Sequence, residues 1–171
     1  METDIEYGKP GGLRIHEVSK HDGASLEAVR GLFEEMYAEM TRYGLMLPLA
    51  EDGGQKWAAS IKNNLGRFGT LILATKEDMP VGFAYGALSM APNYLVAGKT
   101  GVVTHIFVVK KERSGNLGSR MLSQLEQWFR SMQVHSVELQ VLAHNAQGIA
   151  FWERSGYAKE LMQYRKKLRD G

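Results

Sequence analysis

The 171-residue chain contains no cysteine. Disulfides, thiol nucleophiles and thiolate metal sites are therefore excluded. The absence fits a reducing compartment, and a cytoplasmic location is expected. No apolar run approaches the roughly 20 residues of a membrane-spanning helix. The opening METDIEYGKPGG has no basic-then-apolar leader, so no membrane or secretory targeting is expected. An excess of one charge is also lacking. Lys and Arg number 21 against 19 Asp and Glu, a formal +2, which gives no reason to expect nucleic-acid affinity. The five histidines (His16, His21, His105, His135, His144) form no HxxxH pair, and no metal site is expected. Prolines number only four, and no low-complexity tract divides the chain. With 44% hydrophobic residues, the composition is that of one globular domain over 12–171, preceded by a loose tail at 1–11.

Periodicity orders the elements. Leu13 to Val18 alternates apolar and polar residues, the period of a half-buried strand. Leu26, Val29, Leu32, Phe33, Met36, Tyr37 and Met40 then recur at helical spacing, with Glu34, Glu35 and Glu39 off the stripe. A shorter helix is expected around Trp57, Ile61 and Leu65. Strands are expected at 70–74, 81–88 and 101–109, and the glycines Gly82 and Gly86 mark a bulge or a close backbone approach. Leu117, Met121, Leu122, Leu125, Trp128, Phe129 and Met132 form an amphipathic helix. A strand at about 136–143, a helix at 145–155 and one or two closing strands in 157–168 complete the order. This is an α/β pattern: a mixed sheet whose middle strands form an antiparallel meander, followed by a right-handed parallel crossover.

Two clusters carry chemistry. In the first, Arg113-Ser114-Gly115-Asn116-Leu117-Gly118-Ser119 joins a strand to a helix. The first amides of a helix have no intrahelical partners and attract anions. Gly115 and Gly118 admit a bulky anion, Asn116 tolerates positive φ, and Arg113 and Lys111 add positive charge. The set suits a diphosphate, although many such loops bind nothing. In the second, Asn145 begins a helix that runs through Gly148, Phe151 and Trp152 to Gly156 and Tyr157. Alone it reads as a cap and core residues.

Taken together, the clusters and the element order resemble the GCN5-related N-acetyltransferase (GNAT) superfamily. The family's R/Q-x-x-G-x-G/A motif is matched by Arg113 and Gly118, with Asn116 where the middle glycine is usual. Its N-x-x-A-x-x-x-Y-x-x-x-G-F motif is matched by Asn145, Gly156 and, conservatively, Tyr157. Gly148 stands for the alanine and Trp152 for the tyrosine.

The resemblance implies a sheet of six to seven strands flanked by about four helices, splayed between its fourth and fifth strands. It implies acetyl-CoA as cofactor, the pantetheine arm along Phe107, Val108 and Val109, the diphosphate on Arg113 to Ser119, and Asn145 and Trp152 beside the arm. Oxyanion stabilisation is expected from an amide near Phe107 or Val108. The implied reaction is direct attack by a primary amine of a small molecule or peptide on the thioester. No carboxylate stands on the fourth strand; His105, with an ordinary pKa near ~6.5, is the candidate base. Alternation puts Thr104 and His105 on opposite faces, so one of them is expected in the cleft. Tyr37, Tyr43, Tyr94 and Trp57 are aromatic candidates for the acceptor site, and a homodimer is a further expectation by analogy. The missing tyrosine and carboxylate keep open a non-catalytic acyl-CoA-binding domain. An unrelated α/β domain without CoA affinity is the third reading.

Overall fold

A computed structural model of the chain describes residues 12–96 and 98–169; the expected tail at 1–11 lies outside them. The elements are β1 (Leu13–Glu17), α1 (Gly23–Met40), α2 (Gly53–Lys62), β2 (Gly69–Lys76), β3 (Met79–Met90), β4 (Lys99–Val108), α3 (Leu117–Ser131), β5 (Val137–Leu139) and α4 (Ala146–Arg154). Single 3₁₀ turns at Thr41–Tyr43 and Lys110–Glu112 follow α1 and β4. The sheet runs β1-β2-β3-β4-β5 in space, antiparallel except for the β4–β5 pair.

Asp22 starts α1 by accepting the Ser25 amide at 3.0 Å, and the helix buries the predicted stripe of Leu26, Val29, Leu32, Phe33 and Met36. With α2 it covers one face of the sheet, over Leu71, Leu73, Phe83, Tyr85 and Phe107. The opposite face carries α3, whose Leu117, Met121, Leu122, Leu125 and Phe129 pack on Ile72, Ala84, Val103 and Val108. Strand glycines let α3 sit this close. A Cβ at Gly101 would lie 2.6 Å from Phe129 Cδ1, and one at Gly86 2.8 Å from Phe129 Cζ. Both positions must stay bare for Phe129 to be buried.

One expectation fails. The closing strands in 157–168 do not form, so the described sheet has five strands rather than six or seven. The alternating apolar residues of this segment stay in solvent: Leu161, Met162 and Tyr164 are 90%, 78% and 84% exposed. The strand beside which they would pair, β5, is only three residues long. It offers almost no ladder to an added strand; Gln140, the residue after β5, donates its side-chain amide to Gln163 Oε1 at 3.4 Å. Periodicity reports which side chains share a face; it does not supply the backbone partners a strand needs.

Candidate active site

β4 pairs with β5 only at Gly101, Val102 and Val103. Beyond Val103 the two part, because β5 ends at Leu139 and Gln140, Val141 and Leu142 turn away to form the facing wall. The splay opens a cleft of about 820 Å³.

The register of β4 decides which backbone groups face that cleft. The pairing with β3 slips between Tyr85 and Gly86, opposite His105 and Val103, which leaves Thr104 as a bulge. A bulge inserts one residue and reverses the strand's parity. After it, the Val109 amide donates to Val81 O at 2.9 Å. Val109, Phe107 and His105 therefore turn their backbone groups to β3, while Ile106 and Val108 turn theirs to the open edge. Of the expected pantetheine partners, Val108 presents its amide at the edge, its carbonyl accepting from Arg113 Nε at 2.8 Å; Phe107 and Val109 turn their backbone groups to β3. Phe107 contributes its side chain to the lining, and Val109 lies outside the lining.

The same slip places His105 on the α1 side, edge-on against the stacked rings of Phe33 and Trp57, with ring centroids at 5.2 and 5.5 Å. Thr104 and His105 both line the cleft. The expectation that only one does so fails, because the cleft opens at the strand's edge and the bulge breaks the alternation. Burial pushes the His105 imidazole down to about 4, since apolar surroundings disfavour the cation. Its Nδ1 is buried with no hydrogen-bond partner among the described residues.

The turn after β4 brings Arg113, Ser114, Asn116, Leu117, Gly118 and Ser119 into the lining; Gly115 stands just outside it. Gly118 and Ser119 lie in the first turn of α3, where amides have no carbonyl four residues back within the helix. Asn116 is the residue before the helix at φ −3°, not in the left-handed region expected of it. A Cβ on Gly118 would make ordinary contact with Phe151, at 3.4 Å.

Arg113 does not extend freely toward this turn. Its Nε donates to Val108 O at 2.8 Å, and its Nη1 and Nη2 donate to the two Glu39 carboxylate oxygens at 2.7 Å each. The guanidinium beside it holds the Glu39 carboxyl below the usual range. Among the described residues that line the cleft, Glu39 is the one carboxylate.

On the far wall, Asn145 caps α4 by accepting the Gly148 amide at 2.9 Å. This explains Gly148: a Cβ there would stand 2.6 Å from Asn145 Nδ2. Trp152 is buried and lines the cleft between the rings of Phe151 and Tyr157. Tyr157 donates its hydroxyl to Glu126 at 3.1 Å, and burial together with Glu126 raises its pKa well above the ordinary value.

Sequence reasoning missed Met36, Glu39 and Met40, which the C-terminal half of α1 brings to the lining. Their helical spacing reports a core stripe and a polar flank, not the position of the helix end. Of the expected acceptor aromatics, Tyr43 reaches the cleft, Tyr37 and Trp57 pack against the α1 core, and Tyr94 is 81% exposed.

The unpaired β4 edge, the free amides opening α3 and the room at Gly118 fit an elongated carrier with a diphosphate. The comparisons agree. The family model "Acetyltransferase (GNAT) family" matches residues 30–157. The chain belongs to that family, whose members are acetyl-CoA-dependent N-acetyltransferases. Among solved structures, a mutant of the BH1408 protein of Bacillus halodurans superposes with a TM-score of 0.73 at 18% identity, over 91% of this chain and 99% of that one. A predicted acetyltransferase of Clostridium acetobutylicum with acetyl-CoA gives 0.70 at 14%, over 91% and 96%. The aminoglycoside N-acetyltransferase AAC(6')-Iy in complex with CoA gives 0.71 at 15%, over 91% and 95%. At such identities the likeness speaks for the fold. No curated protein matches the chain. Among the described residues, no helix is long and apolar enough to cross a membrane.

Proposed function

We propose that the chain acetylates the primary amine of a small molecule or peptide by direct attack on acetyl-CoA held in the cleft between β4 and β5. The observation that carries this reading is the bulge-set edge of β4, open from Ile106 to Val108 and leading to the free amides that begin α3. Acetyl-CoA supplies an acyl group already activated as a thioester. The edge amide and carbonyl of Ile106, with the Val108 amide, hold the pantetheine arm as an added strand. The Gly118 and Ser119 amides hold the diphosphate at the positive end of α3. Trp152 walls the arm.

Holding donor and amine together supplies much of the rate. An amide at Ile106 or Val108 stabilises negative charge on the carbonyl oxygen. His105 takes the proton of the attacking amine, directly or through water. Its low basicity keeps the ring neutral and ready to accept. It suffices because the proton departs only once the nitrogen has given up its lone pair. Indole is no acid, so Trp152 does not protonate the departing thiolate; the thiolate leaves as such or takes a proton from water.

Free thiol released from acetyl-CoA across a panel of primary amines tests the proposal. Amine-dependent release supports it. CoA binding without release for any amine supports the competing reading, a non-catalytic acyl-CoA-binding domain, which the absent tyrosine favours.

A further inference from the structure

Every nitrogen of the Arg113 guanidinium has a protein partner. Nε is tied to the Val108 carbonyl, and the two terminal nitrogens grip both oxygens of Glu39. The side chain also lies over the Phe107 ring, 5.5 Å from its centroid. Arg113 belongs to the turn that leads into α3, Val108 to the end of β4 and Glu39 to the last turn of α1. One side chain thus ties the turn and the neighbouring end of β4 to α1, 74 residues away in the sequence.

The pairing is geometrically strong. A planar fork on a carboxylate, both partners half-buried, is among the stronger charge-assisted arrangements. It also removes Val108 O from the groups available to an added strand.

We propose that Arg113 and Glu39 serve donor binding as a brace, and that Glu39 is a positioning residue. By gripping Arg113, Glu39 holds the diphosphate turn against the end of β4, so that the Gly118 and Ser119 amides point together into the cleft. On this view Arg113 favours the donor without touching its phosphates, and Glu39 is neither the base nor the anchor for the amine. The inference rests on the cleft being the CoA site.

Calorimetric titration of CoA into the full chain, its Glu39→Gln and Arg113→Gln variants and the double variant tests it. Each single variant weakens CoA about tenfold, and the double variant is no worse than either, as for groups that act as one unit. Pantetheine, which lacks the diphosphate, binds all four alike. The KM for acetyl-CoA rises while kcat changes less than twofold. Glu39→Asp keeps the charge and recovers part of the affinity.

The brace is overturned if Glu39→Gln binds CoA as tightly as the native chain or more tightly. It is equally overturned if Arg113→Gln costs far more than Glu39→Gln, which makes Arg113 a direct phosphate ligand. Failure of the native chain to bind CoA refutes the functional reading, and the brace with it. Native binding with an indifferent Glu39 refutes the brace alone.

Discussion

His105 gives a prediction whose size follows from its surroundings. The imidazole lies among Phe33, Tyr37 and Trp57, and burial lowers its pKa from 6.5 to about 4. In the unfolded chain it returns to the ordinary value. Between those values the unfolded state binds the extra proton, so stability falls as pH drops from 6.5 toward 4. Above about pH 7.5 the ring is neutral in both states and contributes no pH dependence. Integrating the difference gives a loss of about 2 kcal/mol by pH 5 and about 3 kcal/mol below pH 4.

His105→Leu removes this contribution and fills similar space. Urea unfolding of both proteins at pH 7.5 and pH 5.0 measures it. The native chain is expected to lose about 2 kcal/mol more than the variant over that interval. Equal losses refute the reasoning, because they mean that the folded protein accommodates the imidazolium. The same low pKa predicts that no His105 titration marks the pH–rate profile above about pH 6. His105→Ala lowers activity there, and an inflection near 6.5 that vanishes in the variant contradicts the burial account.

Other outcomes follow from close contacts. Gly101→Ala drives a methyl into Phe129, at 2.6 Å, and is expected to lower stability by about 1–3 kcal/mol in urea titrations; no change means that α3 sits less closely than described. Phe129→Ala empties the same site and costs about 3–5 kcal/mol. Asn145→Ala removes the α4 cap and costs about 1 kcal/mol. Gly148→Ala destabilises the native chain but is better tolerated beside Asn145→Ala, since the clash is with the Asn145 side chain; additive losses in the double variant reject that explanation.

Legibility followed the range of the interactions involved. The α1 and α3 stripes, the strand meander and the place of the turn that opens α3 are local patterns, and they read correctly. So did the close approach at Gly86, because a bare strand position has few other uses. The bulge was legible only as one of two readings of Gly86, beside which the register slips; no residue type in β4 marks Thr104 as the extra residue. The bulge nevertheless decides that Ile106 and Val108, rather than Phe107 and Val109, face the cleft with their backbone. Glu39 read only as lying off the apolar stripe because its partner is 74 residues away. The tail after Tyr157 misled for the opposite reason: it has the period of a strand, but β5 is too short to pair with it.

The central claim is that the amides beginning α3 receive the diphosphate of CoA. Calorimetric titration of CoA into the native chain, Gly118→Ala and Gly118→Asp tests it most directly. A Cβ at this position makes only ordinary contact, so all three are expected to fold with similar Tm. The native chain binds one CoA per chain, the alanine variant binds nearly as well, and the aspartate variant loses about a hundredfold or more by setting a negative charge against the phosphates. Equal affinity in the native and aspartate proteins, or no binding to the native chain, contradicts the account.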